Sequence, residues 1–155
     1  MNMIPERDRE LLRDRLQNSL VNDVSITMFS ESLARTLLTI PGQSTNPLAQ
    51  TARNLAAEIE SLSPKIHLKI LDFRGDGAEL AQSMNITRIP AYILGDDPEG
   101  RLRFYGTPMG NELPTILETL EEISQSKPSL NPTITNALQE NVTNHVHLQV
   151  FVTPT

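Results

Sequence analysis

Three consecutive segments between residues 24 and 71 restrict the fold of this chain more than anything else in it. Val24–Phe29 is a short β-rich run bounded by Asn22-Asp23 and by Ser30-Glu31. Thr45-Asn46-Pro47 is a helix start, with Asn as the cap and Pro at the first helical position. Leu48, Ala52, Leu55, Ala56, Ile59 and Leu62 then mark one apolar stripe that ends at Ser63-Pro64. Ile66–Leu71 is a second strand, with Ile66, Leu68 and Ile70 on one face. Strand, helix and strand in this order predict two parallel strands joined by a right-handed crossover. The intervening Ser32–Thr45, with its Pro41-Gly42 turn, predicts an ordered surface loop with room for one helical turn.

The flanks extend this unit into an α/β fold with a mixed sheet and helices on its faces. Glu6–Val21 has Leu11, Leu12, Leu16 and Leu20 near the 3.6-residue period of a helix. Asp76 is placed to cap a short helix that runs to about Met84. Ala91–Leu94 and Arg101–Tyr105 read as two strands, and the turn-rich Gly95–Gly100 between them predicts an antiparallel hairpin. Glu112–Ile123 is a closing helix with Leu113, Ile116, Leu117, Leu120 and Ile123 inward. Residues 127–131 read as a linker, ending just before Pro132.

Several function classes are excluded by composition. A chain of 155 residues can bury about 70% of the surface that its unfolded form exposes, so a packed core needs no staples. The net charge of −6 and the absence of a basic cluster argue against nucleic acid as a partner. No apolar run approaches the roughly 18 residues of a membrane span, and Met1–Glu10 lacks the apolar stretch of a secretion signal. A cytoplasmic setting is therefore expected, with no membrane contact. The absence of cysteine removes disulfides, thiol nucleophiles, iron–sulfur clusters and zinc knuckles together. Neither a cofactor nor a metal is expected, and no catalytic residue is assigned.

Residues 16–30 (LQNSLVNDVSITMFS) align with residues 138–152 (LQENVTNHVHLQVFV) at an offset of 122. Five of the fifteen positions are identical, and three more exchange one aliphatic residue for another. Any helix–loop–strand resembles another to some degree. The sharper reading makes 132–155 the first helix and strand of a second copy of the unit formed by 1–126, with that copy truncated.

The whole order, a βαβ followed by a ββα with Pro leading the hairpin, resembles a thioredoxin-like fold. Thr87-Arg88-Ile89-Pro90-Ala91 and Arg103–Glu112 are similar to the first unit of the two-unit, glutaredoxin-like protein disulfide oxidoreductases. They are also similar to the N-terminal domain of the alkyl hydroperoxide reductase flavoprotein subunit. Val150-Phe151-Val152-Thr153-Pro154-Thr155 resembles the strand that leads, in the former family, into the second unit's Cys-x-x-Cys.

The resemblance assigns roles to particular positions. A first-unit Cys-x-x-Cys would fall on Asn46, Pro47, Leu48 and Ala49, where no thiol stands. A helix start stabilises a thiolate, whereas Asn46 supplies only a cap, so the first unit is expected to be redox-inert. The resemblance makes the Ile89–Pro90 bond cis, with Ile89 and Ala91 offering main-chain groups to an extended peptide. Base rates alone favour a trans Pro at an edge strand, since only about 5–6% of X–Pro bonds are cis. Glu112 matches a Glu close to the second unit's dithiol, where a carboxylate would disfavour the thiolate. Its plainer role is a first-turn Glu complementing the helix dipole.

Other candidates carry less. His145 and His147 share one face of the last segment, but two ligands without a third make a poor metal site. No role attaches to His67. Asp96-Asp97 and Glu121-Glu122 read as a turn and a solvated helix face. Asn85-Ile86-Thr87 and Asn141-Val142-Thr143 fit the glycosylation pattern, which a cytoplasmic chain does not use.

Three functions compete. The first is a redox-inactive unit supporting thiol–disulfide or selenol exchange performed by its own missing second unit. The second is a stand-alone module that binds an extended peptide or protein partner at Pro90, and the third is an enzyme of unseen chemistry. An uncovered last strand invites self-association. A UGA codon after Thr155, read as stop or as selenocysteine, would account for the endpoint, as would a frameshift or an incomplete gene model.

Overall fold

The computed structural model describes residues 3–31, 47–127 and 129–152. Nine elements follow one another: α1 (Glu6–Ser19), β1 (Val24–Ser30), α2 (Pro47–Glu60), β2 (Ile66–Asp72), α3 (Ala78–Ser83), β3 (Ala91–Leu94), β4 (Arg103–Tyr105), α4 (Glu112–Gln125) and α5 (Pro132–Asn141). The sheet order is β2-β1-β3-β4. β1 and β2 are parallel, with Val24 opposite Ile66 and Ser30 opposite Asp72. β3 is antiparallel to both β1 and β4. The βαβ unit, the hairpin and the mixed sheet therefore agree with the pattern of the sequence.

Alternation along the central strands divides the core in two. Val24, Ile26 and Met28 of β1, with Tyr92 and Leu94 of β3, face Leu16, Leu55, Ile59, Leu117 and Leu120 of α1, α2 and α4. Phe29, Ala91 and Ile93 point to the other side, where Ala81, Met84 and Ile86 of the α3 region cover them. β1 is thus buried on both faces, as the middle strand of a two-sided sheet must be. Tyr92 brings its hydroxyl into this interior and donates to the Ala52 carbonyl at 3.0 Å. Its ring meets Phe104 edge-on, with centroids 6.2 Å apart.

Three main-chain amides of β2 find acceptors outside the sheet. Ile66 N–H donates to the Ser63 carbonyl at 3.1 Å. Leu68 N–H donates to Glu60 Oε1 at 2.9 Å, and Asp72 N–H donates to Asp76 Oδ1 at 2.7 Å. Charged side chains that take up edge donors are a known guard against unwanted strand pairing.

Several expectations are corrected. Asp76 does not cap α3; Gly77 holds the cap position, because the Asp76 carboxylate is spent on Asp72 N–H. The second hairpin strand starts at Arg103, since Asp97 draws Arg101 N–H (3.0 Å) and Arg101 Nε (2.8 Å) back into the turn. The first helix stops at Ser19 instead of Val21, with Lys65 Nζ donating to the Leu20 and Val21 carbonyls just beyond it. Leu11 and Leu48 lie at the margins of their stripes and are exposed. The strand expected after α5 is not formed among the described residues: 142–152 has no ladder partner, and extended backbone without one gains no sheet bonds. The Ser32–Thr45 loop, the Asn46 cap and Thr153–Thr155 lie outside the described residues.

Candidate functional site

Topology alone gathers the candidate residues at one end of the sheet. α2 runs back from β1 to reach a parallel β2, so its first turn lies at the end where β1 finishes. Arg53 fixes this placement, donating through Nε to Ser30 Oγ at 3.1 Å and through Nη2 to the Glu31 carbonyl at 2.5 Å. Phe29 pairs with Ala91, and Ala91 pairs with Tyr105, so β3 begins and β4 ends at this same edge. The segment from Gly106 to Asn111 then turns into α4, whose first residue is Glu112. Pro47–Ala49, Ile89–Ala91 and Glu112 are therefore brought to one end of the sheet, at the carboxyl ends of the parallel strands. Ligand sites of α/β sheets gather at that end.

The Ile89–Pro90 peptide bond is cis. The Pro90 carbonyl accepts from Gly106 N–H at 2.9 Å, and Ala91 continues into the β3–β4 ladder. Gly106 has φ +107°, a left-handed backbone in which glycine carries no steric penalty. Ile89 differs from its neighbours. Its side chain packs against the α3 side of the core, while among the described residues no group bonds its main-chain N–H or C=O. Ile89 is half-buried, and Thr87 and Arg88 before it are exposed. An unpartnered main-chain donor and acceptor on a half-buried residue can pair with one residue of an extended chain.

At the degenerate redox position, Leu48 is exposed and Ala49 is buried. Neither residue offers a nucleophile. Glu112 is half-buried at the head of α4, where its N–H donates to the Met109 carbonyl at 3.2 Å. No Asn111 side-chain cap precedes it, so a carboxylate in this first turn complements the helix dipole directly.

The remaining candidates lie elsewhere. His67 Nε2 is 3.0 Å from Asp23 Oδ2, at the opposite end of the sheet. His145 and His147 belong to the exposed tail, and His147 contacts Gln149. Among the described residues, no three His, Cys, Asp or Glu side chains are grouped as metal ligands would be. Asp97 does act as a turn residue: hydrogen bonds from Arg101 hold its carboxyl below the usual carboxylate range. Glu121, read as merely solvated, instead takes two bonds from Arg15, at 2.8 and 2.6 Å. Among the described residues, no helix is long and apolar enough to cross a membrane.

One feature of the site was missed in the sequence. The Arg88 guanidinium lies 5.5 Å above the centre of the Tyr105 ring, which makes it part of the rim beside Ile89. Its signal is the hairpin register: once Ala91 faces Tyr105, an Arg three residues earlier is within reach of that ring.

No protein-family model and no curated protein matches this chain. Solved structures do. A protein disulfide oxidoreductase from Aeropyrum pernix K1 superposes with a TM-score of 0.68 at 21% identity, covering 88% of this chain and 54% of that one. The alkylhydroperoxide reductase AhpF from Enterococcus faecalis V583 gives 0.67 at 18% identity, covering 88% and 60%. The NTD_N/C domain of the same organism's AhpF gives 0.66 at 18%, covering 86% and 59%. These likenesses establish a thioredoxin-like fold, in agreement with the resemblance of the sequence. This chain spans between 54 and 60% of the length of the structures it matches.

Proposed function

We propose that this chain is a thiol-free thioredoxin-like unit of a protein disulfide oxidoreductase-like protein, and that it positions and tunes the dithiol, or selenol, of a second unit. The observation that carries this reading is a contrast across the repeat. Leu16, Leu20, Val24, Ile26 and Met28 are between 0 and 3% exposed, whereas their counterparts Leu138, Val142, Val146, Leu148 and Val150 are 45 to 85% exposed. The tail carries the apolar pattern of an interior without having one. Each such side chain gains about 1.5–3 kcal/mol when fully buried, and the interior that suits this pattern is another copy of the same fold. On this reading 1–126 is the first unit, 127–131 the linker and 132–155 the opening of the second. Glu112, at the same sheet end as Pro90, would face the partner dithiol and disfavour its thiolate.

The intact mass of the gene product purified from its own cells tests this. A product heavier by roughly 100 residues, active in reducing insulin disulfides where the 155-residue chain is not, supports the two-unit reading. A selenium isotope pattern would then identify the chalcogen. A mass near 17.3 kDa would refute it.

A second reading is favoured by Ile89. Its unpaired main-chain groups suit a stand-alone module that binds an extended peptide or protein segment. The same surface serves either reading, and a mass near 17.3 kDa would leave this one standing.

A further inference from the structure

We infer that Arg88 and Tyr105 form a carboxylate subsite beside Ile89, selecting an acidic side chain on an extended peptide. The inference rests on the peptide-binding reading of Ile89 given above.

Arg7 and Arg13 of α1 have no side-chain partner among the described residues. Arg88 differs from them in meeting a ring beside Ile89, while other arginines are spent within the fold. Arg9 is bonded to Glu58, Arg15 to Glu121 and Arg101 to Asp97. Arg53 and Arg103 are spent on the Ser30 hydroxyl and on main-chain carbonyls. Arg88 has no carboxylate or carbonyl partner among the described residues; what it meets there is the ring of Tyr105. The ring leaves the guanidinium N–H donors without a protein acceptor, and a guanidinium can grip a carboxylate with two parallel bonds. The ring is held in turn, because Tyr105 pairs with Ala91 across the hairpin.

The neighbouring residue sets the register. A peptide strand that exchanges main-chain bonds with Ile89 projects alternate side chains to the same side. One of these reaches the Arg88–Tyr105 rim, since Arg88 directly precedes Ile89 in the chain. Selectivity for an acid follows from contrast as well. The molecule carries a net charge of −6, and Glu112 stands at this end of the sheet. An acidic peptide at this end of the sheet therefore meets repulsion from Glu112 and attraction from Arg88.

The test uses the full chain, isotope-labelled for NMR, and capped octapeptides of alternating Thr and Val in which one Glu, or its Gln twin, is scanned through the positions. The expected result is a shift of the Ile89 amide and of the Arg88 Nε–H signal, with the best Glu peptide binding about fivefold tighter than its Gln twin. Arg88→Gln should abolish that preference, and Arg88→Lys should keep part of it. Arg88→Glu should transfer it to the Lys-bearing peptide. Equal binding of the Glu and Gln peptides overturns this inference and leaves the peptide reading of Ile89 in place. No shift at Ile89 with any peptide overturns both. A Gln peptide with a free C-terminus that matches the capped Glu peptide overturns the side-chain assignment in favour of a terminal carboxylate.

Discussion

Ser124 and Asn22 hold each other at three points. Ser124 Oγ accepts from Asn22 N–H at 2.8 Å and donates to the Asn22 carbonyl at 2.6 Å, while Asn22 Nδ2 donates to the Ser124 carbonyl at 2.8 Å. The same Oγ also accepts from Val21 N–H at 2.8 Å. One buried hydroxyl thus joins the last turn of α4 to the corner between α1 and β1. Ser124→Ala should cost about 1–3 kcal/mol, because several main-chain groups lose a partner together. Urea unfolding should show a lower midpoint at unchanged slope. An unchanged midpoint would mean that water replaces the hydroxyl without loss.

Acid should weaken the fold partly through Glu121. Burial raises its pKa, but the hydrogen bonds from Arg15 and Ser19 more than offset this, and its carboxyl sits below the ordinary value of 4.5. A lowered folded pKa adds stability that is present above the unfolded value and is lost as pH falls through the folded one. Glu121→Gln should therefore lose less stability than the parent between about pH 5 and pH 3, as measured by the urea midpoint at each pH. Parallel acid limbs would show that the ion pair contributes nothing.

The alkaline limb belongs to Tyr92. Burial pushes its hydroxyl above the ordinary value of 10, so the stability it contributes is complete below pH 10 and is lost as pH rises beyond it. Tyr92→Phe removes the bond to Ala52 at a cost of about 1 kcal/mol near neutral pH. Its stability should then fall less steeply above pH 10 than the parent's. A slope equal to the parent's would assign the alkaline loss to other groups.

A version ending at Ser126 should unfold within about 0.5 kcal/mol of the full chain, because no residue of α5 is buried. It should also be the less self-associating of the two, since it lacks the apolar tail. Sedimentation of both versions over a range of concentrations decides this. Two equally monomeric versions would remove the physical ground for treating the tail as an unfinished interior.

Where spacing carries the information, the fold is readable from the chain. Leu55, Ala56 and Ile59 recur at helical intervals, Val24, Ile26 and Met28 at strand intervals, and all are buried. Leu11 and Leu48 fit the same intervals and are exposed, because periodicity locates a stripe but not its margins. Asp76 could serve either a helix start or a strand edge, and only the tertiary placement of Asp72 N–H decides. The tail strand fails for a related reason, since ladder bonds need a neighbour that its own residues do not specify. At the site, Pro90 and Glu112 are legible as single residues. The contact of Arg88 with the Tyr105 ring is not, because it arises from the register of the hairpin.

Glu60 and Asp76 place two carboxylates on amides along the β2 edge. A chain arriving there as a fifth strand must first displace two carboxylates from the amides they hold. On this flank a docking strand must break hydrogen bonds before it gains any of its own, a toll levied at the door.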